Sequence, residues 1–274
     1  MSCLSLHEFK LIDNLIFLNC TINDESRTFI LDSGSPSIVL NNKYLDTYEQ
    51  SHDHTLKGAT GPISDVGKIR LQSLKCGTIE KYDIETLVMN LSQLEIEDER
   101  KVYGLIGYDF FNKNNVYLDY QNQKFGFWDD NELEKYLEAK NFSYYQFEMN
   151  GHLPIITCGI GGYSYRIALD TGANTNLFDH KLLNILGRNM KFEGEKNILG
   201  ANEGIAESNY KFGKMMNFDI KGLGSFTDMD TVFADVSHLN QNKDLKIHGI
   251  VGYQLFKDSQ VIISFTKRKL YILG

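Results

Sequence analysis

Proline is scarce in this chain, and long apolar runs are missing from it. The 274 residues include 3 prolines and no low-complexity stretch, which excludes a proline-rich spacer. No apolar run approaches the ~20 residues of a membrane-spanning helix. Near the N-terminus the longest apolar stretch is 15–18, too short for the ~7–15-residue core of a secretory signal. The sequence therefore predicts no membrane span and a cytoplasmic location.

Basic residues are in the minority, with 28 Lys and Arg against 36 Asp and Glu, and the net charge is −8. A nucleic-acid binder needs a basic surface that displaces counterions from phosphates, so this balance predicts no nucleic-acid partner. Hydrophobic residues make up 42% and charged residues 23% of the chain. These values are ordinary for a globular protein and exclude intrinsic disorder and collagen-like repeats.

Cysteine occurs at four widely spaced positions, Cys3, Cys20, Cys76 and Cys158. A chain of this length can form its core without disulfide bridges, so we expect reduced, buried thiols, in agreement with a cytoplasmic location. Cys20 and Cys158 each lie 12 residues before the aspartate of an Asp-Ser/Thr-Gly motif. Duplication of a buried strand position explains this equivalence, and a redox bridge between the two halves is the alternative.

The sequence contains one long, divergent internal repeat. Segments 27–40 (RTFILDSGSPSIVL) and 165–178 (YRIALDTGANTNLF) each consist of an apolar strand, Asp-Ser/Thr-Gly and a second apolar segment. Further pairs follow in the same order, 102–111 with 247–256 and 116–127 with 261–273. The halves are offset by 138 residues at the aspartates and by 145 at the second pair. Gene duplication that produced two lobes of the same fold explains this order.

Short segments that mix β-branched and aromatic residues, such as 68–74 and 82–88, predict a mostly β structure. Helical patterns are few: residues 42–50, 131–140 and 180–186, and short turns after Gly107 and Gly252. The acidic stretch 129–143 is the predicted linker. It separates an N-terminal lobe over residues 1–128 from a C-terminal lobe over residues 144–274.

The two Asp-Ser/Thr-Gly motifs give the strongest chemical signal in the sequence. One such motif occurs by chance in roughly one chain in ten of this length, and a single copy then predicts only a turn. Here two copies lie at equivalent positions, and each is followed by two aliphatic residues and glycine, at 105–107 and 250–252. This combination is not expected by chance.

With Asp32-Ser33-Gly34-Ser35 and Asp170-Thr171-Gly172-Ala173 as two loops, the sequence resembles the aspartic peptidases. Segments 105–107 and 250–252 match the element that packs beneath each loop in that family. Lobes of about 130 residues look more like a fused pair of retropepsin-like units than a long pepsin. The resemblance implies an all-β fold with two similar closed-barrel-like lobes, few short helices and an active site in the interlobe cleft.

The resemblance implies that Asp32 and Asp170 are catalytic. Two carboxyl groups held ~3 Å apart cannot both ionise, so they share a proton. The ionised group activates a water, and the protonated one donates to the carbonyl oxygen of the peptide bond that is cut. No metal or organic cofactor is expected. Residues implied to support the two loops are Ser33, Gly34, Ser35, Thr171 and Gly172, with Ser33 and Thr171 locking the loops together.

Ser35 and Ala173 make the two loops different. In the family pattern the hydroxyl of Ser35 donates to Asp32, whereas Ala173 offers no hydroxyl to Asp170. Donation to an ionised carboxylate lowers its pKa. We therefore expect the shared proton to favour Asp170.

Each half also has a glycine-rich segment between its aspartate and its aliphatic-glycine element. The resemblance identifies these segments as flaps that bind an extended peptide through backbone hydrogen bonds. The flap residues are Gly58, Ala59, Thr60 and Gly61 in the first half and Gly200, Ala201 and Asn202 in the second. Ordinary hairpin turns are the alternative. Neither segment has the tyrosine of a pepsin flap.

Together these features predict an aspartic endopeptidase that cleaves a peptide or protein substrate. Both aspartates lie in one chain, so a monomer suffices for catalysis. The alternative is a non-catalytic peptide- or protein-binding module on the same fold. His52 and His54 could lie side by side on a strand, but no further cluster completes a metal site, and a solvated loop is the preferred interpretation.

Overall fold

The computed structural model describes residues 4–50, 56–58, 61–63, 66–95, 100–196, 210–240 and 245–274. Strands dominate these ranges, and the helices are short. No helix in the described ranges has the length and apolar character needed to cross a membrane.

Strands of the first half all precede the predicted linker. They are β1 (His7–Glu8), β2 (Lys10–Ile12), β3 (Leu15–Ile22), β4 (Glu25–Leu31), β5 (Val39–Asn41), β6 (Glu49–Gln50), β7 (Leu56–Gly58), β8 (Gly61–Ile63), β9 (Gly67–Cys76), β10 (Ile79–Met89), β11 (Gly104–Ile106), β12 (Asn115–Asp119) and β13 (Lys124–Trp128).

The second half contains the remaining strands. They are β14 (Phe142–Gln146), β15 (Glu148–Asn150), β16 (Leu153–Ile160), β17 (Tyr163–Leu169), β18 (Asn176–Asp179), β19 (Met190–Lys196), β20 (Tyr210–Met215), β21 (Phe218–Ile220), β22 (Gly224–Phe226), β23 (Met229–Ala234), β24 (Gly249–Val251), β25 (Gln260–Ser264) and β26 (Lys269–Leu273). The α-helices are α1 (Tyr108–Phe111), α2 (Asp130–Leu137), α3 (Leu183–Leu186) and α4 (Tyr253–Phe256).

Six strands of the first half form a closed barrel. Its strand order is β3-β4-β11-β5-β10-β9, and β9 pairs back with β3. The second half repeats this order in β16-β17-β24-β18-β23-β20, and β21 pairs with β16. The predicted all-β fold with two barrel-like lobes is therefore confirmed.

A six-stranded sheet joins the two lobes. Its order is β1-β13-β12-β25-β26-β14, so corresponding strands of the two halves lie symmetrically about its centre. At that centre β12 and β25 run antiparallel, with Tyr117 opposite Ile262. The apolar core continues from this sheet into both lobes, since Phe127 and Phe265 lie in one buried cluster with residues of each barrel. The sheet thus fixes the relative orientation of the lobes.

The first hairpin of each barrel turns at residues with a left-handed backbone. Asn23 and Asp24 connect β3 to β4 with φ of 45° and 67°, and Gly161 and Gly162 connect β16 to β17 with φ of 60° and 85°. A two-residue hairpin turn of this kind needs positive φ at both positions, which Asn, Asp and Gly adopt most readily. Different residues therefore encode the same turn in the two lobes.

Helix α2 lies within the predicted linker and agrees with the helical pattern at 131–140. Asp129 caps it by accepting from the N–H of Glu132, whose side chain accepts from the N–H of Asp129. Its buried Leu133 packs in a cluster with Trp128 and Tyr117 of the six-stranded sheet. The helix is therefore held both by its cap and by its packing on that sheet.

The structure confirms most of the other helical predictions, but one of them is wrong over most of its length. The turns predicted after Gly107 and Gly252 are α1 and α4, and residues 180–186 form a 3₁₀ turn followed by α3. The helical prediction for residues 42–50 is wrong beyond Tyr44. There Glu49 pairs with Lys68 at the edge of the barrel, and this pairing overrides the local helical pattern.

Cys20 and Cys76 form a disulfide bond, with their Cα atoms 4.5 Å apart. Antiparallel pairing places Thr21 opposite Lys75, so the two cysteines are neighbours across β3 and β9 inside the barrel. The prediction of reduced thiols is wrong for this pair, and Cys20 is not available for a bridge to Cys158. Cys158 is free and buried, as predicted, and Cys3 lies outside the described residues. The cysteines thus give no support to a cytoplasmic location.

Candidate active site

Each aspartate follows the end of a buried strand. Asp32 follows β4 and Asp170 follows β17. The N–H of Asp32 donates to the carbonyl of Ile106 at 3.0 Å, and the N–H of Asp170 donates to that of Val251 at 2.9 Å. The parallel pairings of β4 with β11 and of β17 with β24 thus continue one residue further, and this anchors the start of both loops.

The glycines after β11 and β24 let the loops pack directly on these strands. A Cβ on Gly107 would lie 2.5 Å from the carbonyl carbon of Ser37, and a Cβ on Gly252 would lie 2.6 Å from the carbonyl oxygen of Ala173. Neither approach is sterically allowed, so a larger residue would displace the loop. The aliphatic-glycine elements therefore lie beneath the two aspartate loops and support them.

Asp32 and Asp170 meet at the contact between the lobes. The N–H of Gly34 lies 2.9 Å from Oδ1 of Asp32 and also 2.9 Å from Oδ1 of Asp170. The N–H of Gly172 donates to Oδ1 of Asp170 at 2.8 Å, and a Cβ on Gly172 would lie 2.6 Å from Oδ1 of Asp32. Each glycine therefore packs against the carboxylate of the opposite lobe.

Ser33 and Thr171 link the two loops by reciprocal hydrogen bonds. The N–H of Ser33 donates to Oγ1 of Thr171 at 3.0 Å, and the N–H of Thr171 donates to Oγ of Ser33 at 2.9 Å. The Thr171 hydroxyl also donates to the carbonyl of Leu31 at 3.0 Å. Both side chains are buried, so these bonds are shielded from water and fix the two aspartates relative to each other.

Burial raises the pKa of both aspartates. For Asp32, desolvation is the main cause, and the charge and hydrogen bond of Asp170 raise its pKa further, well above the usual range. Desolvation also raises the pKa of Asp170, but the N–H of Gly172, the hydrogen bond with Asp32, the N–H of Gly34 and the charge of His152 oppose that shift. Two carboxyl groups in such contact titrate as a pair.

The predicted hydrogen bond from the Ser35 hydroxyl to Asp32 is wrong. The loop turns so that this hydroxyl donates to the carbonyl of Ser37 at 2.8 Å, and only the N–H of Ser35 donates to Oδ1 of Asp32, at 3.1 Å. Burial raises the pKa of both aspartates, and the two carboxyl groups hold the shared proton as a pair. The expected cause of a proton on Asp170, donation from the Ser35 hydroxyl to Asp32, is therefore absent, and the location of the shared proton stays a prediction.

At neutral pH we expect Asp32→Asn to have a higher free energy of unfolding than the wild type. The folded-state pKa of Asp32 lies above its unfolded value, so the folded state binds this proton more tightly. The stabilisation that comes from this tighter proton binding is fully present below the unfolded pKa. It is lost as the pH rises through the folded pKa. Each unit of pKa difference corresponds to about 1.4 kcal/mol. Denaturant unfolding at about pH 4 and about pH 7 measures the effect.

The advantage of Asp32→Asn over the wild type should grow between these two pH values. Asp83→Asn serves as the control, because Asp83 is exposed and the hydrogen bond from Arg70 lowers its pKa. The free energy of unfolding of Asp83→Asn, relative to that of the wild type, should not increase between the two pH values. An unchanged difference between Asp32→Asn and the wild type at both pH values would contradict a raised pKa at Asp32.

The structure describes part of the predicted flaps. Gly58 and Gly61 lie opposite each other in the antiparallel pairing of β7 and β8, so the backbone there is a hairpin. Ala59 and Thr60 lie outside the described residues, as do the second predicted flap and the two histidines considered as metal ligands, Gly200, Ala201, Asn202, His52 and His54. In the described part of the chain, no group of three or more His, Cys, Asp or Glu side chains is placed to hold a metal ion.

Two residues that sequence reasoning missed reach across the lobe interface. His152 Nε2 lies 2.7 Å from the carbonyl oxygen of Gly34, and Asn14 Nδ2 donates to the carbonyl of Asn174 at 3.4 Å. Asn14 and His152 are 138 residues apart, the same offset as the two aspartates. Alignment of the two halves around the aspartates would have paired these positions, although it would not have shown what they bind.

Residues 18–110 match the family model described as aspartyl protease. The matched range contains the Asp32 loop and the aliphatic-glycine element 105–107 beneath it. No curated protein matches this chain. The match supports membership of an aspartic peptidase family, and it agrees with a hydrolase that acts on peptide bonds.

Proposed function

We propose that this chain is an aspartic endopeptidase and that Asp32 and Asp170 are its catalytic pair. The observation that carries the proposal is the contact between these carboxyl groups, which come from equivalent loops of two barrel-like lobes and share the N–H of Gly34. Their raised pKa values fit a pair that holds one proton. The match of residues 18–110 to aspartyl proteases supports the same chemistry.

In the proposed reaction the ionised aspartate takes a proton from a water molecule, whose oxygen attacks the carbonyl carbon of the peptide bond. The protonated aspartate donates a hydrogen bond and then its proton to the carbonyl oxygen. When the carbon–nitrogen bond breaks, the leaving nitrogen takes the proton that the first aspartate received from the water. One hydroxyl of the tetrahedral intermediate returns its proton to the second aspartate, so the new carboxyl product is released and the pair again shares one proton. The fixed N–H groups of Gly34 and Gly172 hold the carboxylates in place throughout, so little reorganisation is needed.

We also propose that the molecule is a duplicated, retropepsin-like pair of lobes in one chain. The repeated strand order and the symmetric six-stranded sheet support this. The lobes would comprise residues 1–128 and 144–274, with 129–143 as the linker. On this proposal a monomer holds the whole active site, and the hairpin of β7 and β8 is a flap that pairs with an extended substrate.

A mixed peptide library tests the function. Incubation from about pH 3 to about pH 8, followed by mass spectrometry, should reveal new termini at internal peptide bonds. Cleavage should persist with a metal chelator and should be blocked by a peptide in which a hydroxyl-bearing carbon replaces the carbonyl, since that group mimics the tetrahedral intermediate. Peptide binding without cleavage at any pH would instead favour a non-catalytic peptide-binding module.

A further inference from the structure

His152 contacts the Asp32 loop from the opposite lobe. It lies in the turn between β15 and β16, is half-buried, and its Nε2 lies 2.7 Å from the carbonyl oxygen of Gly34. A carbonyl oxygen accepts only, so Nε2 carries the proton in this contact. The ring of Tyr108 at the start of α1 lies beside the imidazole, with 6.3 Å between the ring centroids. The histidine is thus held at the interface by contacts with the other lobe.

The bonded carbonyl belongs to the peptide group that contacts Asp32. This group joins Gly34 to Ser35, and its N–H donates to Oδ1 of Asp32 at 3.1 Å. A peptide group is planar, so a donor that fixes its carbonyl also fixes the direction of its N–H. Hydrogen bonds in such a chain polarise one another. His152 is therefore connected to Asp32 through a single rigid peptide.

His152 also acts on the other aspartate through its charge. When the imidazole carries a positive charge, that charge lowers the pKa of Asp170 and so stabilises the ionised form of that residue. Tyr108 from α1 contacts the imidazole, and Asp170 from the loop after β17 is the carboxyl group that interacts with its charge. A positively charged His152 thus favours the ionised form of Asp170.

Asn14, the counterpart of His152, makes a different contact across the interface, because its acceptor is the carbonyl of Asn174 and not that of Gly172, the counterpart of Gly34. Asn14 occupies the corresponding turn between β2 and β3 and donates to the carbonyl of Asn174 at 3.4 Å. An amide carries no charge at any pH, and this bond is longer than that of His152. Two nearly symmetric lobes therefore support the aspartate pair asymmetrically.

We propose that His152 is a positioning residue for the aspartate pair, which orients the Gly34–Ser35 peptide toward Asp32 and makes the two carboxyl groups inequivalent. The inference rests on the proposed peptidase function and adds to it a residue from outside the two aspartate loops. It assigns two separable roles to one side chain, a hydrogen-bond donor for the carbonyl of Gly34 and a positive charge near Asp170.

Two substitutions separate these roles when kcat and KM are measured across the pH range on one cleavable peptide. His152→Ala removes both donor and charge, and we expect kcat to fall by about 10- to 100-fold with a smaller change in KM, because the aspartates are displaced rather than the substrate. His152→Gln keeps an amide donor without the charge. It should recover most of the lost kcat while the acid limb of the kcat/KM profile moves to higher pH, because the pKa of Asp170 rises.

His180→Gln and Asn14→Ala are the matched controls. His180 is exposed beside Asp179, and Asn14→Ala removes the contact with the carbonyl of Asn174 without changing the charge. In both control variants, the acid limb of the kcat/KM profile should stay at the pH of the wild type. The inference would be overturned if His152→Gln kept the acid limb of the wild-type kcat/KM profile, or if His152→Ala kept the wild-type kcat. If His152→Ala does not fold, the pH profile of His152→Gln decides alone.

The outcomes distinguish the inference from the function on which it rests. Failure of the wild type to cleave any peptide would remove the proposed function, and the role of His152 with it. Cleavage that depends on both aspartates but is insensitive to substitution of His152 would overturn the positioning role and leave the peptidase proposal intact.

Discussion

Asp32→Asn and Asp170→Asn are each expected to lower kcat/KM for peptide cleavage by ~10³-fold or more. Asparagine keeps the shape of the side chain, and its carbonyl oxygen can still accept from the N–H of Gly34. It cannot ionise to activate water, and it cannot share a proton with the remaining carboxyl group. The measurement is turnover of one peptide by each variant and by the wild type, with circular dichroism to show that the fold is retained.

The two substitutions should be equally severe, and the double variant should be no worse than either. This follows because the carboxyl groups act as a unit, whose parts do not contribute additively. Asp83→Asn is the matched control, since its carboxylate is exposed and paired with Arg70. Its turnover should equal that of the wild type. Retention of a tenth or more of the activity by either aspartate variant would contradict a shared-proton mechanism.

The sequence repeat, together with the resemblance to aspartic peptidases that its two motifs carry, was enough to predict which aspartates meet. Segments of matching pattern at equivalent positions imply equivalent strands, and a pseudo-twofold arrangement of such strands brings the loops after β4 and β17 together. The repeat identified 105–107 and 250–252 as equivalent segments, and the resemblance supplied their position beneath the loops, which the packing of Gly107 and Gly252 confirms. A pattern that occurs twice at equivalent positions supplies evidence that a single copy lacks.

The disulfide could not be predicted, because it depends on a register between distant strands. Cys20 and Cys76 are 56 residues apart, and their contact requires that β9 return to β3 and close the barrel. A shift by one residue would turn one of the cysteines to the outside. Cysteine spacing alone carries no information on that register.

Side-chain direction in the loops was also beyond the sequence. Ser35 could reach Asp32 by its position in the motif, but the turn presents the carbonyl of Ser37 instead. A single histidine in a hairpin turn, such as His152, gives no pattern from which its contact with Gly34 could be inferred. Such details depend on backbone placement to within about an ångström, to which hydrophobic patterning is insensitive.

Thr171→Val is expected to lower the free energy of unfolding by about 2–5 kcal/mol. Valine conserves the shape of threonine but lacks the hydroxyl, which accepts from the N–H of Ser33 and donates to the carbonyl of Leu31. Thr171 is 2% exposed, so both backbone groups would be left without a partner in a buried interface. Each buried unsatisfied group costs about 1–3 kcal/mol. Denaturant unfolding of variant and wild type gives the difference.

Ser33→Ala should destabilise the protein less than Thr171→Val does. In the hydrogen bonds between the loops, the Ser33 hydroxyl accepts from the N–H of Thr171, so its removal leaves one group unsatisfied rather than two. Thr171→Ser keeps the hydroxyl and is expected to stay close to the wild type in stability and in turnover. An equal or larger loss in Ser33→Ala would show that the Thr171 hydroxyl is not the main link between the lobes. The order of the free energies of unfolding therefore tests whether the hydroxyl of Thr171, in the second loop, is the main link between the two loops.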